Sequence, residues 1–341
     1  MHNSMLADLG WSAFFLAQLE LSEIGQCQPA RVAGVHRTRL AVLGEAGPQS
    51  VTLPGHGSTA GVAVGDWLLV GPQGQMLRRL ERRSLVQRRA AGTGVEAQLI
   101  AANVDTLFIT SSCNADFNPA RLERYLALAA EAGAEPVVIL TKADLATDPA
   151  TFRQRAEAVA RGRVVLAVDA HDPVLLVQLA DWCRKGQTVA LLGSSGVGKS
   201  TLMNTLAGFA AGTGADTGPI RDGDAKGRHT TTARALHPCL GGGWIIDTPG
   251  MREVRLTDAA VGIDVLFADI VELAPLCRFR DCSHASEPGC AVQAEISAGR
   301  LEPGRLARWR KLRREDQSNS QTVAKARSPS RASGRFRKAE S

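Results

Sequence analysis

The chain has 341 residues, a length that predicts two or three domains. Hydrophobic residues make up 44% of it but aromatic residues only 4%, so Leu, Val, Ile and Ala must form most of its cores. No run approaches the roughly 20 apolar residues of a membrane-spanning helix. Residues 1–20 also lack the basic start and cleavage site of a signal peptide, so we expect a cytoplasmic protein.

The seven cysteines and the basic residues are both unevenly distributed. Three cysteines lie within 277–290, which favours a metal site in a reduced compartment over a disulfide framework. The formal net charge is +6, and basic residues concentrate in 78–89 and 300–314. Such clusters are typical of nucleic-acid binding, but a solvated helix face or a disordered tail would carry the same charge.

The first part of the chain predicts a small β domain. Residues 1–29 form a short, partly helical extension in this interpretation. In 30–90, short alternating runs are separated by glycine and proline turns, which predicts a five-stranded all-β barrel of the OB type.

A central domain follows at 97–255, where apolar strands alternate with helices. This pattern predicts an α/β domain with a mostly parallel sheet covered on both faces. Strands are predicted at 104–110, 136–141, 163–170 and 188–193, and helices at 119–133, 150–161 and 172–184.

The C-terminal part is small and polar. Residues 256–315 combine a Cys/His segment with a basic helix, and we interpret them as a separate metal-binding domain. Residues 316–341 are rich in Ser, Arg, Lys and Ala, with almost nothing to bury, which predicts a disordered basic tail.

The segment GSSGVGKS, residues 193–200, fits the phosphate-loop pattern GxxxxGK[ST] between a predicted strand and a predicted helix. Backbone amides of the loop and the helix N-terminus would hold phosphates. Lys199 would reach the β- and γ-phosphates, and the Ser200 hydroxyl would bind Mg²⁺. The predicted phosphate-binding residues are Gly193, Ser194, Ser195, Gly196, Val197, Gly198, Lys199, Ser200 and Thr201.

Two further segments suit a nucleotide switch. In DTPG, Asp247 would support Mg²⁺ and Gly250 would offer its amide to the γ-phosphate. Before it lies GRHTTT, residues 227–232, where a threonine hydroxyl could meet Mg²⁺ and the γ-phosphate. Met251 stands where many GTPases have a glutamine that orients the attacking water. His229 is the best local candidate for that role, and an exposed loop histidine without a catalytic part is the alternative.

The segment TKAD, residues 141–144, resembles the [NT]KxD motif by which GTPases read guanine. The Asp144 carboxylate can accept hydrogen bonds from both N1–H and the N2 amino group, a contact that adenine cannot supply. Lys142 would lay its stem along the base. Thr141 stands where Asn is commoner.

Asp169 and Ala170 end the next strand, where GTPases usually have a Ser-Ala pair; the Ala170 amide would meet guanine O6, and Asp169 replaces Ser. Both base-reading segments precede the phosphate loop, whereas they follow it in ordinary GTPases. Cutting a domain at one surface loop and joining its old ends preserves the sheet. The order therefore predicts a circularly permuted GTPase domain.

The spacing CxxxxCxHxxxxxC provides three thiolates and one imidazole in a short polar segment. This is the ligand set of a closed, tetrahedral structural zinc site, where the metal substitutes for a hydrophobic core. The predicted ligands are Cys277, Cys282, His284 and Cys290.

Together these motifs resemble the ribosome small-subunit-dependent GTPase family, RsgA (also called YjeQ), over about 30–315. The resemblance implies an OB domain, a circularly permuted GTPase domain and a zinc-binding domain. It also implies a GTP phosphohydrolase that uses Mg²⁺, is stimulated by the small ribosomal subunit and assists its late maturation. His229 would be catalytic, and Thr231 would be the switch residue that contacts Mg²⁺.

From the residues alone, three classes compete: a GTPase acting on ribosomal RNA, a metabolic P-loop kinase, and a non-catalytic nucleic-acid-binding module. The expected guanine preference of Asp144 argues against the kinase, and measurable turnover would exclude the non-catalytic module. The resemblance favours the first class. We expect a monomer that binds GTP or GDP and the rRNA of the small subunit, with no membrane partner.

Overall fold

Two short N-terminal helices pack against the first sheet of the protein. The computed structural model describes residues 5–53, 58–89, 97–209, 235–247 and 259–327. Helices α1 (Met5–Asp8) and α2 (Ala13–Leu16) lie at the start of the chain. Phe15 is buried against Trp67, with ring centroids 5.7 Å apart, so the extension is part of a packed core.

The first sheet is entirely antiparallel. Its strands are β1 (Gln28–Val35), β2 (Arg39–Gly44), β3 (Gly47–Thr52), β4 (Trp67–Val70) and β5 (Met76–Arg79). They lie in the order β3-β2-β1-β4-β5, and an isolated bridge between Thr52 and Gln75 brings the two edges together at one point. Alternate side chains such as Val32 and Leu40 form its core. This is the five-stranded unit that the alternating pattern predicts.

A two-stranded ribbon joins this sheet to the central domain. Strands β6 (Leu85–Arg89) and β7 (Ala97–Ala102) pair antiparallel. The Ala102 amide donates to the Val64 carbonyl at 2.8 Å. Gly65 has φ +92°, and an added Cβ there would lie 2.1 Å from the Ala102 oxygen. The close approach of the two backbones therefore requires glycine at this position.

Arg31 fixes the same junction from inside. Its side chain is buried and donates to the carbonyls of Leu9 at 2.5 Å, Asn103 at 3.1 Å and Gly65 at 3.4 Å. Burial lowers the pKa of Arg31 to about 10, which still leaves it charged at neutral pH. One guanidinium thus holds the N-terminal extension, the first sheet and the start of the central domain together.

The central domain alternates strands and helices as expected. Its elements are β8 (Thr106–Ser112), α3 (Pro119–Ala132), β9 (Glu135–Thr141), α4 (Pro149–Ala160), β10 (Val165–Ala167), α5 (Val174–Gln178), β11 (Thr188–Leu192), α6 (Lys199–Ala207), β12 (Leu236–Pro238) and β13 (Trp244–Ile246). The strand order is β10-β9-β8-β11-β13-β12, and only β12 runs antiparallel to its neighbour. The predicted mostly parallel sheet is confirmed.

Capping residues explain where the helices of this domain end. Helix α3 begins because the Asn118 side chain accepts the Arg121 amide, and it ends at Gly133, whose φ is 71°. The helix predicted at 172–184 is shorter, because the backbone leaves the helical conformation at Leu179, with φ −104° and ψ 6°.

The C-terminal part consists of helices around the Cys/His segment: α7 (Ala260–Leu266), α8 (Ala268–Leu273), α9 (Ala291–Ser297) and α10 (Pro303–Arg327). The prediction of disorder for 316–341 is wrong for its first part, because α10 continues to Arg327. Asp316 is 6% exposed and its carboxylate accepts the Ala259 amide at 2.8 Å, which anchors the helix beyond 315. Residues 328–341 lie outside the described residues.

Most arginines of the two basic clusters form ion pairs within the protein. The pairs are Arg78–Glu23, Arg82–Asp66, Arg83–Asp105, Arg300–Glu295, Arg305–Asp269, Arg308–Glu123 and Arg313–Asp264. Several of them join different elements, so much of this positive charge holds the fold together. No helix in the described ranges is both long and apolar enough to cross a membrane.

Candidate nucleotide site and metal centre

The predicted phosphate loop lies at the carboxyl edge of the parallel sheet. It connects β11, at the centre of the sheet, with α6. Gly196 and Gly198 have φ of 77° and 91°, which turn the loop around the N-terminus of α6. A Cβ added to Gly193 would lie 2.2 Å from the Thr110 carbonyl of β8. The glycines of the motif are therefore needed for both the turn and the packing.

Loop residues 141–144 lie directly beside the phosphate loop. The Thr141 hydroxyl, fully buried, donates to the Val197 carbonyl at 2.5 Å. The Lys142 ammonium donates to the Gly196 carbonyl at 2.8 Å, and the Lys142 backbone has φ 58°. Two residues of the predicted base-reading segment thus hold two carbonyls of the phosphate loop.

Lys199, Ser200 and Thr201 occupy the first turn of α6, where unpaired backbone amides favour anions. The Lys199 ammonium folds over the loop and donates to the carbonyl of Gly193 at 2.9 Å and to that of Ser194. Asp247 follows β13, which pairs in parallel with β11, so it lies at the same edge of the sheet. The first turn of α6 and Asp247 therefore lie at the same edge of the sheet.

The remaining base-reading residues lie at the ends of β9 and β10. Asp144 is exposed, in a short 3₁₀ turn after β9. Asp169 accepts the His171 amide at 2.8 Å, and the Ala170 carbonyl accepts the Thr205 hydroxyl of α6 at 2.7 Å. Asp169 therefore shapes its own loop, which is tied to the helix that follows the phosphate loop.

The four predicted metal ligands come together. One ligand atom from each of Cys277, Cys282, His284 and Cys290 lies within 4.8 Å of the others. The sulfurs of Cys277 and Cys290 are 3.8 Å apart, and His284 Nδ1 is 3.5 Å from each of them. For metal–sulfur bonds of about 2.3 Å, the edges of a tetrahedral site measure about 3.8 Å. The cluster therefore fits one tetrahedral metal ion.

The family model described as RsgA GTPase matches residues 79–257. The chain belongs to the RsgA GTPase family. A relative from Mesorhizobium japonicum, named small ribosomal subunit biogenesis GTPase RsgA, is 56% identical over 97% of this chain and 95% of that protein. A relative from Vibrio parahaemolyticus, named small ribosomal subunit biogenesis GTPase RsgA 2, is 47% identical over 97% of this chain and 91% of that protein. As a member of this family the chain is a GTP-hydrolysing enzyme.

Two solved structures share the RsgA fold with this chain. YjeQ from Thermotoga maritima has a TM-score of 0.62 and 22% identity, and the match covers 84% of this chain and 97% of that one. YloQ, described as a circularly permuted GTPase, has a TM-score of 0.60 and 22% identity, over 86% and 96% of the two chains. The permuted order predicted from the motifs agrees with this fold.

Three predicted site residues of this RsgA-family chain, His229, Thr231 and Gly250, lie outside the described residues. Sequence reasoning also missed two residues beside the phosphate loop. Arg121 Nη1 donates to the Ser194 hydroxyl at 2.6 Å, and the Tyr125 hydroxyl is 3.5 Å from it. Both belong to α3, which follows β8, the strand beside β11. The signal available in the sequence was one basic residue, Arg121, in the first turn of that helix.

Proposed function

We propose that this chain is a GTPase that binds the small ribosomal subunit, is stimulated by it and assists its late maturation. The observation that carries the proposal is the joining of two loops by the Thr141–Val197 and Lys142–Gly196 hydrogen bonds. They join residues 141–144, to which we assign guanine recognition, to the segment 193–200, to which we assign phosphate binding. The ribosomal part of the proposal is supported by the relatives named above, which are similar to this chain over almost its whole length and are named as small ribosomal subunit biogenesis GTPases.

In this proposal the exposed Asp144 carboxylate accepts the guanine N1–H and N2–H groups. Lys142 supports the base with its stem, and the loop of Asp169 and Ala170 offers the Ala170 amide to O6. Loop amides of 193–201 bind the phosphates, and Lys199 moves its ammonium from the loop carbonyls to the β- and γ-phosphates. Mg²⁺, when bound, neutralises charge on the transferred phosphoryl group.

The hydroxyls of Ser200 and Thr231 and the carboxylate of Asp247 are proposed to hold Mg²⁺, and the Gly250 amide to meet the γ-phosphate. Met251 has no group that orients a water molecule, so we assign that role to His229. His229→Ala should then keep nucleotide binding and lose the stimulated turnover. Unchanged stimulated turnover would remove His229 from the mechanism.

The other parts of the proposal concern the flanking units. Residues 30–90 are proposed to form an OB-type barrel, which the Thr52–Gln75 bridge between its edges supports. Residues 97–255 form the GTPase domain, and 256–315 hold one structural zinc ion through Cys277, Cys282, His284 and Cys290. We propose a cytoplasmic monomer.

The RNA-binding surface is proposed to include α10. Most arginines of 300–314 are engaged in internal ion pairs, but Lys311 and Arg314 are exposed. These side chains can meet phosphates without breaking an ion pair that the structure contains.

GTP turnover with and without purified small ribosomal subunits, with ATP as control, tests the proposal. We expect slow basal turnover that rises strongly with the subunit and only for GTP. Asp144→Asn should weaken GTP binding by at least about 10-fold, because the amide offers a donor where guanine needs an acceptor. Asp181→Asn, at an exposed site away from the loops, is the matched control. Turnover indifferent to the subunit would contradict the ribosomal assignment, and equal use of ATP would contradict the role of Asp144.

A further inference from the structure

Helix α3 touches the phosphate loop with one face. Arg121 and Tyr125 are four residues apart, so they point to the same side of the helix. The Arg121 guanidinium donates to the Ser194 hydroxyl at 2.6 Å and also lies 3.3 Å from an Asp116 carboxylate oxygen. Ser194 is the second residue of the phosphate loop, and its carbonyl is one of the two that hold Lys199. Arg121 therefore contacts the loop at the residue that also holds its lysine.

Helix α3 is also attached to the C-terminal helices. Glu123 accepts a hydrogen bond from Arg308 of α10 at 2.7 Å, and Arg124 donates to Glu315 of α10 at 2.6 Å. About two turns further along, the Glu131 carboxylate accepts the Gly262 amide of α7 at 2.9 Å. Residues 123, 127 and 131, at a spacing of four, form one stripe of α3, while Arg124 lies three residues from Arg121 and is its neighbour on the helix surface.

Separating α3 from the C-terminal helices would be energetically unfavourable. The Glu123 side chain is 1% exposed, and Arg308 contacts its Oε1 atom. The other carboxylate oxygen, Oε2, has no hydrogen-bond partner among the described residues. Withdrawing Arg308 would leave a buried carboxylate without compensation, which is strongly unfavourable. Gly262 packs so closely that an added Cβ would lie 2.1 Å from the Ala127 carbonyl. Helix α3 and the C-terminal helices are therefore held in a fixed relative position.

We propose that Arg121 is a positioning residue of GTP hydrolysis, which holds the phosphate loop through Ser194, and that α10 sets the place of Arg121 through α3. The proposal concerns basal GTP hydrolysis, the activity that family membership establishes. It does not depend on the small ribosomal subunit. The proposed coupling between α10 and the phosphate loop passes through α3. It is therefore separate from the covalent link by which the chain runs from DTPG directly into the C-terminal domain.

Single-turnover GTP hydrolysis and separate affinities for GTP and GDP test the first part. In Arg121→Met we expect the rate of the chemical step to fall about 10-fold. The variant loses one charged hydrogen bond to the phosphate loop, and the rate of hydrolysis depends on how accurately the loop positions the phosphates. GTP affinity should change less than about 3-fold, since the loop amides that bind phosphate remain. Arg121→Lys should recover part of the rate, and Ser194→Ala should lower it in the same way.

A purely structural role for Arg121 would instead lower the thermal midpoint or weaken both affinities without a selective effect on the rate. A rate within about 2-fold of the parent in both Arg121→Met and Ser194→Ala would overturn the proposal, since such a change is below 0.5 kcal/mol. If Arg121→Met does not fold, Ser194→Ala alone decides, because it removes only a hydroxyl that is half-buried.

A double-mutant cycle tests the part played by α10. Glu315→Gln removes the charge that Arg124 meets and should slow hydrolysis in the same sense as Arg121→Met. Combined with Arg121→Met it should have little further effect, because both changes act on one path. Glu295→Gln breaks the exposed Arg300 pair in the same domain and is the matched control. Fully additive effects of Arg121→Met and Glu315→Gln, or no effect of Glu315→Gln, would overturn the link to α10.

Discussion

At the residue scale, Thr141 shows how a threonine can serve where Asn is commoner. Its hydroxyl lies between the Val197 carbonyl of the phosphate loop and the Ser111 carbonyl of β8, at 2.5 and 3.1 Å. One proton can be donated to only one of them, and the shorter contact favours Val197. A single oxygen thus ties the end of β9 to the loop that binds phosphate.

Thr141→Val keeps the shape of the side chain and removes this hydrogen bond, so the Val197 carbonyl loses its partner. We expect GTP affinity to fall about 5- to 10-fold, which corresponds to about 1 kcal/mol. Fluorescent-nucleotide titration measures it. The control is Thr106→Val, a buried threonine at the other end of the neighbouring strand. Equal affinities of the parent and Thr141→Val would show that the bond does not shape the site.

His237 of β12 gives a second residue-scale prediction, on acid stability. Burial lowers its pKa from 6.5, against the smaller effect of Asp247. As the pH falls, the unfolded state takes up the proton first, so the stability present above pH 6.5 is lost as the pH falls toward the folded-state pKa. His237→Gln should reduce the loss of stability between about pH 7.5 and 5.5, measured as urea midpoints. His36→Gln, at an exposed histidine, is the control. If His237→Gln lost as much stability over this pH range as the parent protein, the prediction would be contradicted.

At the scale of elements, the contact between α3 and α7 depends on a glycine. A Cβ added to Gly262 would meet the Ala127 carbonyl, which belongs to a helix backbone and cannot move alone. Gly262→Ala should therefore lower the free energy of unfolding by about 2–3 kcal/mol through overpacking. Gly61→Ala, where an added Cβ meets nothing within 4 Å, is the matched control in denaturant unfolding. A Gly262→Ala variant as stable as the parent would mean that the two helices can separate freely.

Helix α7 is also capped from outside its own sequence. The N-cap residue is Ala259, which has no side-chain acceptor, and the Asp316 carboxylate of α10 accepts its amide. A carboxylate near a helix N-terminus is favourable, so Asp316→Ala should cost about 1–2 kcal/mol of stability. Asp316→Asn should cost less, because an amide oxygen can still accept. Equal losses in both variants would assign the effect to charge instead of to the hydrogen bond.

At the scale of the whole molecule, the sequence predicts what is local and misses what is distant. The strands depend on neighbouring residues, and those predicted at 136–141 and 188–193 are found at Glu135–Thr141 and Thr188–Leu192. The strand predicted at 163–170 is shorter, Val165–Ala167. Glu123, the buried partner of Arg308, by contrast, lies 185 residues away, and the partner of Arg124 lies 191 residues away. Composition alone therefore predicted a basic tail without order, whereas Glu315 and Asp316 contact α3 and the start of α7 and α10 continues to Arg327. Arg121 was missed for the same reason, because only the adjacency of β8 and β11 brings it to Ser194.

The Cys/His cluster is connected to the rest of the molecule through α10. The His284 ring packs on Trp309, with centroids 5.7 Å apart, and Arg310 donates to the Ser283 carbonyl. Because a bound metal would hold the four ligands together, chelation should lower the thermal midpoint by roughly 5–10 °C, as a loss of about 2–3 kcal/mol would.

Chelation should also change the fluorescence of Trp309, because its ring packs against His284, one of the four residues of the cluster. Cys282→Ser should reproduce both effects without chelator, while Cys27→Ser, outside the cluster, should reproduce neither. Trp309→Phe identifies the fluorescence signal, since it should abolish the change and leave the other four tryptophans in place. If chelation released a bound metal but moved neither the midpoint nor the fluorescence, the cluster would not support α10. The path from this domain through α3 to the phosphate loop would then begin at the ion pairs of α10 alone.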